Sequence, residues 1–386
     1  MHLEPTEVQR ERQRAAEQFC RRVLQPGARA RRLEGGFDRA LWAEMGAFGL
    51  MGLALPARWG GSALGPLDTV LVLEGAGRGT EELGLLFAAC AQQFACGIPL
   101  ARHGSDEAQG RWMEAVATGR AVAANAITEA EAGSDAHAVR ARWRRDGDDY
   151  VLDGTKQFVS NAPVADLFVV YAASGDTRGW ASLSAFLVPA DTPGLTVAAG
   201  EPRLGLPGSP WGTVYLDGCR VPAWCRLGRE GGGAAIFRDS MLWERVGIMA
   251  LYVGAMDRTL ARCVEHARTR RQFGRPIGTF QAVAHRLVDM RLRLEAARWM
   301  LYRAAWALEH TRRCDDAVAL AKIAVSEAAV HCGLDAIQVF GGTGTTWRSG
   351  VPALLADALP ARIFSGTSEI QRNIVARAMG LRCDRR

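Results

Sequence analysis

Two changes of pattern along the chain limit what it can fold into. Residues 1–118 read as helices, residues 122–227 carry short β-rich runs, and from Gly233 onward the pattern is helical again. A β module between two helical stretches implies an α+β fold with the sheet segregated from the helices, not alternating βαβ units. In the first stretch, 9–24 has apolar positions at helical spacing and stops at Pro26-Gly27. Asp38 suits the cap of a short helix reaching Phe48, and 56–66, with three glycines, reads as a loop. Segments 67–77 and 83–96 are apolar enough for buried helices, and Ser105 caps another that ends near Gly119. In the middle, the runs 150–152, 167–171, 185–188, 195–197 and 213–216 are separated by Asp-Gly and Pro-Gly turns, which predicts a small, mainly antiparallel sheet. The Ala-rich segments 234–269, 280–309 and 316–340 predict a helix bundle. The expected domains are 1–119, 120–230 and 231–386.

Composition narrows the function. No apolar run approaches a membrane span, and the Arg-rich residues 1–32 lack an apolar signal core, so neither membrane insertion nor secretion is expected. Nine cysteines, an odd number without CxxC pairs, fit a reduced cytoplasmic protein. The net charge of +6 comes mostly from arginine. It reads either as a solvated basic surface or as attraction to an acidic partner, such as a phosphate-bearing cofactor or a carrier protein. No basic–aromatic repeat points to nucleic acid, and no His/Cys/Asp spacing suits a metal. The phosphate-binding GxGxxG and GxxxxGK[ST] motifs and the nucleophile motif GxSxG are all missing.

Two nearby stretches concentrate polar chemistry. In 124–135 an apolar run ends at Thr128, followed by two acids, a Gly and a Ser-Asp pair, which reads as a strand entering a tight turn. In 156–161, Phe158 and Ser160 are two apart and share a strand face. This suits a flat, hydrogen-bonding heteroaromatic ligand; an ordinary hairpin with a packed Phe is the alternative. Further on, 268–277 (Arg-Thr-Arg-Arg-Gln-Phe-Gly-Arg-Pro-Ile) is either a basic helix end or an anion site.

These motifs, in this order, resemble the acyl-CoA dehydrogenase family over nearly the whole chain. The resemblance implies an N-terminal helical domain, a middle β domain and a C-terminal four-helix bundle, with FAD as cofactor. It places Thr128, Phe158 and Ser160 around the flavin ring and Ser134 on the pantetheine arm. Arg270, Phe273, Gln281, Gln338 and Gly342 fall at the pyrophosphate and ADP half, and Thr367 and Glu369 also contact the cofactor. Family members share these groups across a dimer interface, which implies a homodimer or a homotetramer. Ala130 replaces the usual Pro after Thr-Glu, and only a local loop difference is expected.

The family's usual catalytic Glu near the C-terminus is replaced here by Ser365. On a helix, Phe237, Met241, Glu244, Ile248 and Leu251 share one stripe, and a carboxylate on an apolar face is costly unless paired or useful. A structural ion pair with Arg245 or Arg262 is one reading. The isovaleryl- and long-chain acyl-CoA members place their base at this helix position, which implies Glu244 as base and Arg245 as a thioester-positioning residue. Ser365 is then expected to contribute only its backbone N–H to the substrate. Segments 86–96, 160–163 and 364–367 resemble the branch that oxidises carrier-bound acyl groups, with prolyl leading and hydroxyacyl next. An ordinary short- or branched-chain acyl-CoA dehydrogenase, a flavin monooxygenase and a non-catalytic acyl-carrier scaffold remain open.

Overall fold

The computed structural model describes residues 4–175 and 180–381. Its N-terminal part is helical. Thr6 opens α1 (Glu7–Val23) with a capping box, exchanging hydrogen bonds with Gln9. After α2 (Ala28–Glu34), the Asp38 carboxylate accepts from the amides of Ala40 and Leu41 to start α3 (Arg39–Phe48). Two apolar helices follow, α4 (Pro66–Gly79) and α5 (Leu83–Gln92). The latter passes through a π turn (Gln93–Gly97) into α6 (Ile98–His103), so the single helix expected over 83–96 is longer and interrupted. Ser105 caps α7 (Asp106–Ala117).

The strands are β1 (Ala123–Ala126), β2 (Arg142–Asp146), β3 (Asp149–Ser160), β4 (Leu167–Ser174), β5 (Leu183–Pro189), β6 (Leu195–Ala199), β7 (Trp211–Val221) and β8 (Arg226–Leu227). They form one sheet in the order β6-β7-β3-β2-β4-β5-β8, with β1 beside β4. The pairs β1–β4 and β2–β4 are parallel and the rest antiparallel. Polar β2 (Arg-Trp-Arg-Arg-Asp) shows no apolar run, and it exists because β3 and β4 supply its ladder partners.

The C-terminal part comprises α8 (Gly233–Thr269), a short hairpin of β9 (Arg271–Gln272) and β10 (Arg275–Pro276), α9 (Gln281–His310), α10 (Asp315–Phe340), α11 (Pro352–Ala361) and α12 (Ser368–Ala378). Helices α4 and α8 touch backbone to backbone. A Cβ added at Gly77 would lie 2.2 Å from the Leu251 carbonyl oxygen, and one at Gly254 would lie 2.0 Å from that of Glu74. Buried charge joins the three regions. The Asp357 carboxylate of α11 accepts from Arg32 at 2.6 Å and from the Leu206 amide at 2.7 Å, and its carbonyl accepts from the Tyr252 hydroxyl. Two helical stretches, Leu83–His103 and Asp315–Thr345, are in fact apolar and long enough to cross a membrane, contrary to the sequence reading. Both are core segments, with 94% and 67% of their apolar windows buried in the protein. The eight described cysteines are free and buried, and Cys383 lies outside the described residues.

Candidate active site

The two polar stretches of the middle domain are locked together by one buried ion pair. Glu129 and Ala132 exchange backbone hydrogen bonds, closing the expected turn after β1. The Glu129 carboxylate accepts from the amides of Arg140 (2.6 Å) and Ala141 (2.9 Å) and from Lys156 Nζ (2.7 Å). Lys156 is fully buried and also donates to the Ile127 carbonyl at 3.1 Å. Burial pulls its pKa down to about 8, against the pull of Glu129. The Gln157 amide donates to the Thr128 carbonyl at 2.8 Å, which sets Thr128 beside the strand carrying Phe158 and Ser160. Asn161 donates to the carbonyls of Ala88 and Ala123, fixing the end of β3 against α5 and β1.

Phe158 sits in a register shift of β3 with φ +55°. Exposure still alternates there, with Phe158 exposed, Val159 buried and Ser160 half-buried. The Phe158 ring is 63% exposed and stacks on Trp211 of the paired strand, with centroids 4.9 Å apart and an interplanar angle of 10°. Trp211 does not stand out in the sequence, because only strand pairing brings it to Phe158. Ser134 is exposed on the turn after Glu129.

Glu244 lies on α8 with its side chain buried, as the apolar stripe predicts. Neither candidate arginine pairs with it within 4 Å. Arg262 turns instead to Glu81 at 2.8 Å, and Arg245 Nε donates to the Ser365 carbonyl at 2.8 Å. The partner of Glu244 is the Ser365 hydroxyl, which donates to Oε1. The side chain of Ser365 therefore meets the carboxylate directly, where the sequence reading had credited only its backbone. Burial raises the Glu244 pKa to about 7, against the lowering effects of the Ser365 hydrogen bond and of Arg245. Burial also lowers Arg245 to about 10. The buried thiols of Cys90 and Cys96 and the Tyr171 phenol lie close enough to feel the Glu244 charge, and burial pushes all three upward. Phe364 packs on Phe87, with centroids 4.9 Å apart, beside this group.

Ser365 and Gly366 are both left-handed, at φ +54° and +88°. A Cβ on Gly366 would meet Gln371 Nε2 at 2.7 Å, while Gln371 donates to the carbonyls of Ser365 and Gly366. Among the described residues, the Ser365 amide donates to no other group. Thr367 caps α12, and Glu369 is exposed in its first turn. Beneath this loop the Lys322 side chain is fully buried, and its Nζ makes no hydrogen bond among the described residues. Burial and Arg245 pull the Lys322 pKa down to about 7, with Glu369 and Glu327 opposing. Lys156 and Lys322 are the two lysines of the whole chain, a signal that was available in the sequence.

The remaining motif residues form a second, exposed group. Phe340 stacks on His266 at 4.1 Å, bringing the C-terminal ends of α8 and α10 together. Arg270, Phe273, Gln281, Gln338 and Gly342 are all exposed there. Arg270 makes no ion pair among the described residues. Phe273 is 93% exposed at the tip of the β9–β10 hairpin. Among the described residues no three His, Cys, Asp or Glu side chains are placed to hold a metal.

The chain thus combines a buried carboxylate against a clamped loop with an open aromatic pair on a β module between helical domains. Residues 6–120, 124–219 and 231–380 match the acyl-CoA dehydrogenase N-terminal, middle and C-terminal domains, respectively. The chain belongs to the acyl-CoA dehydrogenase family. It is 42% identical over 368 residues to an L-prolyl-[peptidyl-carrier protein] dehydrogenase of a Serratia species, covering 95% of each chain. It superimposes on the structure described as PigA with FAD and proline with a TM-score of 0.97 and 40% identity, covering 99% of this chain and 100% of that one. The prolyl acyl carrier protein oxidase AnaB matches with a TM-score of 0.94 and 36% identity, covering 98% and 100%.

Proposed function

We propose that this chain is an FAD-dependent dehydrogenase of a prolyl group carried as a thioester on a peptidyl carrier protein, acting towards the pyrrolyl thioester in secondary-metabolite biosynthesis. The observation that carries the reading is Glu244, a buried carboxylate with a pKa near neutrality, closed against the Ser365 loop in a chain so similar to prolyl dehydrogenases. A base works best with its pKa near the operating pH. Glu244 takes the α-proton onto its carboxylate. The Ser365 N–H, which makes no hydrogen bond among the described residues, donates to the thioester carbonyl and stabilises the charge that develops there. Arg245 and Gln371 hold that turn through the Ser365 carbonyl.

The donor set fits FAD. Phe158 on Trp211 offers an open aromatic platform, Thr128 and Ser160 flank it, and Arg270, without an ion-pair partner among the described residues, is a cation suited to a pyrophosphate. Gly341 at φ +60° and Gly342 leave open backbone beside Gln338 for the ADP half. Thr367 and Glu369 complete the cofactor side, and Ser134 holds the pantetheine arm. When bound, FAD supplies the acceptor for the β-hydrogen and its electron pair. The protein works as a homodimer or homotetramer in the cytoplasm. The exposed Phe273 and the apolar α9 residues Val288, Leu292 and Trp299 support self-association, and the free buried cysteines support a reducing compartment. The domains are taken as 1–119, 120–230 and 231–386.

The test offers prolyl thioesters on a carrier protein and on CoA to the FAD-loaded enzyme under anaerobic conditions and follows flavin bleaching. Rapid bleaching with the carrier form and slow or no bleaching with the CoA form is expected. Equal efficiency on both overturns the carrier assignment.

A further inference from the structure

We infer that the Ser365 hydroxyl is a positioning group for Glu244, and that this one residue sets both the base and the carbonyl donor. The inference rests on Glu244 being the base. An α-carbon is bonded directly to the thioester carbonyl carbon, so a base for the α-proton and a donor for the carbonyl oxygen must lie close together. Ser365 supplies both links. Its Oγ–H donates to Glu244 Oε1, and its own N–H makes no hydrogen bond among the described residues. The left-handed backbone at Ser365 and Gly366 lets the two groups serve one substrate, and the Ser365 carbonyl is held from behind by Arg245 Nε and Gln371 Nε2. The residue is thus clamped at its carbonyl and bonded through its side chain to the base.

A hydroxyl that donates to a carboxylate favours the charged form. Without it, Glu244 would hold its proton to higher pH. Among the described residues the Ser365 hydroxyl is the one side-chain donor to the Glu244 carboxylate. Arg245 on α8 is committed to the Ser365 carbonyl. Cys90 on α5, Cys96 in the π turn and Tyr171 on β4 are neutral groups pushed upward by burial. The Ser240 hydroxyl beside Tyr171 donates to the Phe237 carbonyl, and Lys322 and Asp315 act on Arg245 from beyond it.

The experiment measures flavin reduction against pH by anaerobic stopped flow for wild type, Ser365→Ala, Ser365→Gly and Glu244→Gln, all loaded with FAD. A second readout, independent of turnover, is the infrared carboxyl band that disappears as Glu244 ionises in the substrate-free protein. Both Ser365 variants should move the rising limb and the infrared titration to higher pH by about one unit, the worth of one hydrogen bond to a charged group. The rate at pH 7 should fall about fivefold and recover near pH 9. Glycine tolerates the left-handed turn at least as well as serine, so equal behaviour of Ala and Gly assigns the effect to the hydroxyl. If Glu244→Gln abolishes reduction while both Ser365 variants keep the wild-type pH profile and infrared titration, the positioning role is wrong and the base assignment stands. If Glu244→Gln reduces its flavin normally, the base assignment fails first.

Discussion

Replacing Glu244, the proposed base, should make the protein more stable, in a pH-dependent way. Glu244 is buried, and its carboxyl is raised from 4.5 to about 7 in the folded state. The sign follows from proton counting. Between these two values the folded state binds more protons than the unfolded chain, so stability falls as pH rises through the window. Once both states are ionised, above about pH 8, the folded protein carries a penalty of about 3 kcal/mol from this one group. The attraction of Arg245 is already contained in that figure, since it is among the causes of the net shift. Glu244→Gln keeps the shape and an oxygen that accepts from Ser365, but it never ionises. The variant should exceed wild type at pH 8 by roughly 1–3 kcal/mol, allowing for relaxation around a buried charge, and by only about a quarter of that near pH 5. Urea denaturation followed by far-UV circular dichroism at pH 5, 6, 7 and 8 reads this directly. Flavin reduction in the same variant should fall by a factor of about 10²–10⁴. A stability gain that does not change with pH, or no gain at pH 8, would refute the reasoning that an ionised carboxylate is held there at a cost.

Three other substitutions test the rest of the site. Lys156→Met strands the buried Glu129 carboxylate on two backbone amides, and should destabilise the protein by about 3–5 kcal/mol in urea denaturation; a loss under about 1 kcal/mol would show that the pair is dispensable. Arg270→Ala should weaken FAD binding by about 10–100-fold in fluorescence titration, the value of one charge-assisted contact to phosphate, with unchanged circular dichroism. FAD held as tightly as by wild type would remove Arg270 from the pyrophosphate site. Phe273→Asp places a charge at a hairpin tip that is otherwise an exposed aromatic, and should shift the species seen by light scattering towards monomer. An unchanged mass would take the hairpin out of the interface.

Local pattern alone was enough for the helix–sheet–helix order, because periodicity and turn residues record which faces are buried. Asp38 and Ser105 act as the predicted caps, and the stripe around Glu244 marks a buried carboxylate, since these depend on neighbours within a few residues. Charged β2 and the π turn after α5 did not show, as the first exists only through its ladder partners and the second through packing. What Glu244 touches was also hidden. Ser365 lies 121 residues away, and its hydroxyl arrives only because α8 and the α11–α12 loop pack together. Trp211 reaches Phe158 through strand register, and Glu129 reaches Lys156 across a turn and a strand. The two lysines stood out in an arginine-rich chain, yet composition could not say that one would be paired and the other left without a hydrogen bond among the described residues. Sequence periodicity specifies which side chains leave water. Their partners inside are decided by contacts between distant segments, and those contacts set the pKa of Glu244 and the geometry of the loop facing it.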